Sequence, residues 1–129
     1  EILDTRIFRK DENTGKIRTV FDTISDNAAN AGVISGVQKN DPQKFDLRRV
    51  GSIVMRNNEV EETGLGAGVL NDPITGIIWL VKRLSEYNQK ISPGEIILSG
   101  SFIRPIEARK GDEFYADFGD FGFVECKFN

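Results

Sequence analysis

Leu47-Arg48-Arg49-Val50-Gly51-Ser52-Ile53-Val54-Met55-Arg56-Asn57-Asn58-Glu59-Val60-Glu61-Glu62-Thr63 reads as a β-hairpin. Leu47 to Arg56 forms one arm and Glu59 to Thr63 the other. Between them, Asn57-Asn58 supplies the two residues of positive φ that a tight type I′ turn prefers. A hairpin needs further strands to bury its apolar face, so the reading extends outward in search of partners.

Downstream, Gly64, Gly66 and Gly68 alternate, which suggests a bulged strand with close backbone approach. No lysine follows at P-loop spacing and no dinucleotide fingerprint is complete, so a phosphate cradle is disfavoured. Asp72-Pro73 then opens a helix, with Asp72 as N-cap and Pro73 in the first turn. Ile74, Ile77, Ile78, Val81 and Leu84 recur at helical spacing, with Trp79 and Leu80 widening the stripe. Lys82, Arg83 and Glu86 form the wet side, and Ser92-Pro93-Gly94 closes the region. Glu95 to Ser101 reads as a central apolar strand. Lys110-Gly111-Asp112 turns between strands Ile106 to Arg109 and Glu113 to Phe118. Gly119 to Gly122 turns into Phe123 to Phe128, where Val124, Cys126 and Phe128 alternate with polar or outward positions.

Upstream, the reading expects a strand from Glu1 to about Phe8 and a turn at Asp11 to Gly15. It expects an extended Thr19 to Thr23, a short helix from Ser25 to Ala31 capped by Ser25 or Asp22, and a buried strand from Gly32 to Val37. Gln38 to Lys44 is a polar loop. The fold class is mixed and mainly β, a roll or sandwich with one long amphipathic helix, in a single domain over residues 1–129. The chain begins at Glu1 within an alternating pattern, so an upstream segment is expected.

Composition narrows the chemistry. The 129 residues hold no histidine and one cysteine, Cys126. A histidine base, a Ser-His-Asp triad and an internal disulfide are therefore excluded within the chain. Any metal site would be oxygen-rich, which favours Mg²⁺ or Mn²⁺ over Zn²⁺. A net charge of −3 gives no attraction to nucleic acid or an anionic membrane, and no apolar run is long enough to span one. The single cysteine suits a reducing cytoplasm.

Three places could carry chemistry. Glu1 and Asp4 lie three apart on an expected strand, so they face opposite sides and cannot chelate one ion together. From sequence alone the default reading of each is a solvated surface carboxylate. Asp22-Thr23-Ile24-Ser25-Asp26-Asn27 is densely polar, fitting either polar contacts in a site or simple capping. Leu98-Ser99-Gly100-Ser101-Phe102-Ile103-Arg104-Pro105 ends an apolar run in glycine, hydroxyls and an arginine. Such a strand end can bind a carboxylate, or it can be an ordinary turn with a surface arginine.

Several runs together resemble the 2-oxo-hept-4-ene-1,7-dioate hydratases of the fumarylacetoacetate hydrolase superfamily. They are Phe21-Asp22-Thr23-Ile24-Ser25-Asp26-Asn27-Ala28-Ala29-Asn30-Ala31-Gly32, Glu61-Glu62-Thr63-Gly64 and Gly68-Val69-Leu70-Asn71. Ile97-Leu98-Ser99-Gly100-Ser101-Phe102 and Ala108-Arg109-Lys110-Gly111-Asp112 continue the match in order along the chain. The resemblance implies the carboxyl-terminal part of a fumarylacetoacetate hydrolase-like catalytic domain. It implies a homo-oligomeric, cytoplasmic lyase that holds Mg²⁺ or Mn²⁺ on three carboxylates and binds a small 2-oxo acid.

In that family a Glu-x-Glu pair and a catalytic lysine precede the region matched here, and neither is in this chain. Glu1, before Ile2-Leu3-Asp4-Thr5-Arg6, matches the third metal ligand. Ser101, with the Gly100 amide, matches the contact to the 2-oxo acid head. Asp22 and Asn27 are the expected catalytic groups, Ser25 a substrate contact, and Arg104 the partner of the far carboxylate. The reaction implied is metal-assisted hydration of 2-oxo-hept-4-ene-1,7-dioate to 4-hydroxy-2-oxoheptane-1,7-dioate in homoprotocatechuate catabolism. Its alternatives are 4-oxalocrotonate decarboxylation, vinylpyruvate hydration, or a non-catalytic binding module. Asp72 stands where the family pattern has histidine, Ile103 where it has threonine and Arg49 where it has tryptophan. These departures bear on fine substrate preference.

A hard divalent cation needs several oxygen ligands, and one glutamate bearing an α-ammonium cannot supply them. The 129-residue chain alone is therefore expected to bind Mg²⁺ or Mn²⁺ no better than millimolar and to show no hydratase activity. Calorimetric titration beside an absorbance assay checks this, and tight stoichiometric binding would reveal a complete site within these residues.

Overall fold

The computed structural model describes residues 1–4 and 10–129, and these form two compact units, Glu1–Ser35 and Gly36–Asn129. The expected first strand is present as β1 (Ile2–Leu3), and the remainder of that expectation falls mostly outside the described residues.

In the first unit, the Asp11 turn forms as expected. The Asp11 carboxylate accepts from the Asn13 and Thr14 amides at 2.8 and 2.9 Å, and Gly15 takes φ +70°. Thr19 to Thr23 is not extended. Helix α1 covers Val20–Ser25 and begins earlier than expected because Thr19, not Ser25 or Asp22, is its N-cap. Asp22 completes a reciprocal capping box with Thr19, which satisfies amides that the first helical turn leaves open. A 3-10 turn over Asn27–Ala29 then leads into β2 (Asn30–Gly32), which pairs antiparallel with β1. The buried strand expected from Gly32 to Val37 is not found. The ladder stops at Gly32, and Val33 and Val37 are exposed.

The second unit is built on the hairpin. β3 (Gly51–Arg56) and β4 (Glu59–Leu65) flank Asn57 and Asn58, whose φ values are 52° and 67°. The arms differ slightly from expectation. Leu47 to Arg49 forms a turn before β3, and β4 runs on to Leu65. A bulge places Glu61 between the pairs Val54↔Glu62 and Met55↔Val60, and its carboxylate pairs with Arg56. Gly64 and Gly66 show the close approach that the glycine run suggested. A Cβ at Gly64 would overlap Phe102, and one at Gly66 would overlap the Leu47 carbonyl.

β5 (Glu113–Asp117) and β6 (Phe123–Lys127) extend the sheet in the antiparallel order β4-β3-β5-β6. Period-2 burial is clear along β6, where Val124 and Cys126 turn inward while Phe123, Glu125 and Lys127 are exposed. Burial holds the Cys126 thiol above its ordinary range. On β3, Ser52 and Val54 are buried while Ile53 between them is exposed. Edge-on ring pairs Phe45–Phe121 and Phe114–Phe128, and stacked Tyr115–Phe123, add about 0.5–1.5 kcal/mol each.

Helix α2 covers Ile74–Ser85, the long helix of the expectation. It starts just after Pro73, and the Asp72 carboxylate accepts from the Ile74 amide at 2.9 Å. Its apolar stripe is only partly covered. Ile74, Ile77, Leu80 and Leu84 are half-buried, whereas Ile78, Val81 and Trp79, at 64% exposure, face outward. Two expected strands are absent. Glu95 to Ser101 and Ile106 to Arg109 make no ladder with the sheet, and Ile96 is 72% exposed. An apolar run becomes a strand only when a neighbour pairs its amides and carbonyls. The Lys110-Gly111-Asp112 turn does form, with the Asp112 amide donating to the Arg109 carbonyl at 3.0 Å.

The Asn57 side chain ties this turn to the hairpin. Its Nδ2 donates to Asp112 Oδ1 and its Oδ1 accepts from the Glu113 amide, each at 2.9 Å. This contact, then the Arg109 amide, holds the Asp112 carboxyl below its usual range. Replacing Asn57 by Ala removes both bonds and places a poorly suited residue at positive φ. Asn57→Ala is expected to cost about 1–3 kcal/mol in denaturant unfolding. Asn57→Gly, which relieves the backbone, should lose less, and equal losses would mean that the backbone conformation contributes nothing.

Candidate active site

Of the expected site residues, Glu1, Asp22, Ser25 and Asn27 lie in the first unit and Gly100, Ser101 and Arg104 in the second. Most of their polar atoms are engaged locally. Asp22 Oδ2 accepts from the Thr19 amide at 2.7 Å and from the Thr19 hydroxyl at 2.8 Å. The Thr19 amide, first, and its hydroxyl, second, hold the Asp22 carboxyl below its ordinary value. A carboxylate so stabilised stays ionised at neutral pH and is a poor proton donor. Ser25 Oγ donates back to the Phe21 and Asp22 carbonyls at 2.9 and 3.0 Å. Asn27 is exposed at φ 53° and caps neither helical turn.

The adjacent Asp26 was not singled out in the sequence. Its Oδ1 accepts from the Ala29 amide at 3.0 Å, and its Oδ2 pairs with Arg18 at 2.5 Å. Asn30 was likewise passed over. Its Nδ2 donates to Glu1 Oε1 at 3.1 Å across a separation of 29 residues. The Thr19-x-x-Asp22 spacing could have revealed the capping box, but no local pattern joins residues 1 and 30.

The metal suggested by the resemblance can be weighed against the donors present. Glu1 offers an exposed carboxylate steadied by an amide donor, which suits one oxygen ligand of a hard cation. Among the described residues, no group of three or more acidic, histidine or cysteine side chains could hold a metal. Glu1 thus fits as a single ligand and not as a complete site.

In the second unit, Gly100 adopts φ +97°, a backbone state that favours glycine. Ser101 is exposed, and its Oγ accepts from the Ile103 amide at 3.2 Å. Arg104 is also exposed and meets Glu62 Oε1 through Nη2 at 2.6 Å and Nε at 2.9 Å. A carboxylate of this chain therefore already occupies the guanidinium. A cavity of about 490 Å³ opens above the sheet, lined by Val50, Ile74, Ile77, Phe102, Phe118 and Val124 among others. Ser99 also lines it, whereas Gly100, Ser101 and Arg104 do not.

No family model matches the chain. Comparison with curated proteins and solved structures nevertheless finds similar proteins. The chain is similar to curated hydratases and to a solved decarboxylase, as the sequence runs suggested. The 2-oxo-hept-4-ene-1,7-dioate hydratase of Escherichia coli is 49% identical over 128 residues, or 99% of this chain and 48% of that protein. The 2-keto-4-pentenoate hydratase of Paraburkholderia xenovorans is 32% identical over 107 residues, covering 83% of this chain and 40% of the relative. The 4-oxalocrotonate decarboxylase of Pseudomonas putida G7, solved with magnesium and adipate, superposes with a TM-score of 0.78 at 29% identity. That superposition covers 84% of this chain and 41% of the decarboxylase. The chain thus spans about half the length of the curated relatives it matches.

The capping geometry makes a pH prediction. The folded pKa of Asp22 is depressed, so its contribution is present above the unfolded carboxyl pKa of about 3.9 and is lost as pH falls through the folded value. Asp22→Ala is expected to lower the unfolding midpoint near neutrality, with the deficit shrinking as pH falls through the depressed folded value. A deficit independent of pH would remove the carboxylate from this role.

Proposed function

We propose that the protein is a divalent-metal-dependent hydro-lyase that adds water to 2-oxo-hept-4-ene-1,7-dioate, yielding 4-hydroxy-2-oxoheptane-1,7-dioate. The observation that carries this reading is the 49% identity, over 99% of the chain, to a hydratase named for that substrate. The magnesium and calcium in the solved decarboxylase structures support dependence on a divalent cation, and the all-oxygen donor chemistry supports Mg²⁺ or Mn²⁺. Bound, such a cation supplies Lewis acidity toward the 2-oxo acid head. Glu1 is the residue of this chain that would hold it.

The chain's other contributions are binding and orientation. Gly100 presents its amide from a left-handed backbone, and Ser101 presents a hydroxyl that can shift from the Ile103 amide to a substrate carboxylate. Tautomerisation brings the C=C into conjugation with the 2-oxo group, so that water adds at its far carbon. Asp22 is held as an anion and Asn27 is an exposed amide, and both are suited to ordering water rather than donating a proton. Arg104 can meet the distal carboxylate only by releasing Glu62. We also read the protein as a cytoplasmic homo-oligomer. The exposed Ile78, Trp79 and Val81 of α2 would gain cover in such an assembly. Among the described residues, no helix is long and apolar enough to cross a membrane.

The second reading is 4-oxalocrotonate decarboxylation, favoured by the TM-score of 0.78 to that enzyme. Product analysis on both substrates separates the two. Hydration of the heptenedioate with little CO₂ release is expected, and faster CO₂ release from 4-oxalocrotonate would reverse the assignment.

Ser101→Ala in the intact protein should lower kcat/KM about tenfold to a hundredfold, the worth of a hydrogen bond to a charged group, with folding unchanged. Kinetics within twofold of the parent would end this role for Ser101.

A further inference from the structure

One buried hydroxyl of the second unit has no answer within its own strand. Ser52 of β3 is 5% exposed, and among the described residues its Oγ has no hydrogen-bond partner. Burying an unpaired hydroxyl costs stability, and alanine would fill the same place without that cost. Packing alone therefore does not call for serine at this position.

Across the antiparallel ladder Ser52 stands opposite Gly64 of β4. Side chains directly opposite each other lie on the same face of a sheet, so the space above Gly64 adjoins the Ser52 hydroxyl. Half-buried Phe102 fills that space. A Cβ at Gly64 would stand 2.3 Å from the Phe102 ring and 2.6 Å from the Phe102 carbonyl oxygen. Among the described residues, no backbone amide donates to this carbonyl. A donor in want of an acceptor thus faces an acceptor in want of a donor.

Phe102 follows directly on Gly100 and Ser101. Gly100, at φ +97°, gives the segment a point to pivot, and Arg104 ties its far end to Glu62 at 2.6 Å. Between the two, Ser101 Oγ accepts from the Ile103 amide at 3.2 Å, and no strand ladder holds the peptide among the described residues. A small movement of the Phe102 peptide toward β3 would carry Ser101 with it.

We propose that Ser52 is a positioning residue for the Gly100-Ser101 site. With the acid head bound, its hydroxyl donates to the Phe102 carbonyl and fixes the peptide that presents Ser101. The proposal rests on the reading of Gly100 and Ser101 as the contacts to a 2-oxo acid head. Because the bond forms in the bound state, the hydroxyl adds to ligand affinity and not to the stability of the free fold.

The test is titration of the intact protein, with Mg²⁺ present throughout, with 2-oxoheptanedioate, a saturated analogue that has no C=C to hydrate. Affinities and ligand-free unfolding midpoints are compared for the parent, Ser52→Ala, Ser101→Ala and the double variant. Ser52→Ala is expected to weaken binding about threefold to tenfold, as the loss of one neutral hydrogen bond does, at an unchanged or raised midpoint. In the Ser101→Ala background it should cause a smaller loss, because it acts through that segment. Ser52→Thr should bind more tightly than Ser52→Val, which has its shape without the hydroxyl. Binding by Ser101→Ala within twofold of the parent would overturn the head-group reading and the proposal with it. Weakened binding in Ser101→Ala would leave that reading standing, and three results would then overturn the proposal alone. These are Ser52→Ala within twofold of the parent, a lowered midpoint in Ser52→Ala, and equal affinities of the threonine and valine variants.

Discussion

Asn57 satisfies two demands at once. Its backbone must take φ 52° for the two-residue turn between β3 and β4, and its side chain must reach Asp112 and Glu113 at the start of β5. Glycine meets the first demand but not the second, and alanine meets neither. The Asn57 amide also donates to the Glu113 carbonyl at 2.8 Å, so the turn is bound to β5 by backbone as well. This junction sets which residues of β3 and β5 stand opposite each other. A one-residue slip would send Ser52, Val54 and Ala116 to the other face of the sheet and expose the inner side.

From that register follows the rest of the second unit. β6 pairs to β5 through a tight turn, which carries Val124 and Cys126 inward. Gly64, opposite Ser52, leaves room for Phe102, so the segment holding Gly100 and Ser101 crosses the sheet at a defined place. Gly64 and Gly66 therefore serve close packing. Substituting a side chain at Gly64 would displace the segment that carries the candidate substrate contacts.

Legibility in the sequence followed the range of the interactions. The Asn57-Asn58 turn, helix α2 and the alternation of β6 depend on neighbours within a few residues, and each was readable. Helix α1 begins earlier than the sequence reading expects because Thr19 and Asp22, in a stretch that reads as extended, form a capping box. The apolar runs at Gly32 to Val37 and Glu95 to Ser101 looked like strands, but strand identity is conferred by a partner and neither has a full ladder. The polar cluster at Asp22 to Asn27 admits both a capping and a site reading from sequence alone. Its Asp22 and Ser25 side chains are spent on the helix, while the contact to Glu1 comes from Asn30, which only the pairing of β1 with β2 brings near. The sequence reading expects Arg104 to meet the far carboxylate of a substrate, and Glu62, 42 residues earlier, takes it.

The central claim is that Gly100 and Ser101 receive the head of a 2-oxo acid. Amide chemical shifts of the isotopically labelled intact protein test it most directly, recorded with Mg²⁺ alone and then with a non-reactive 2-oxo acid. The account predicts that the acid moves the resonances of Gly100 and Ser101. Shifts confined to other residues would contradict it.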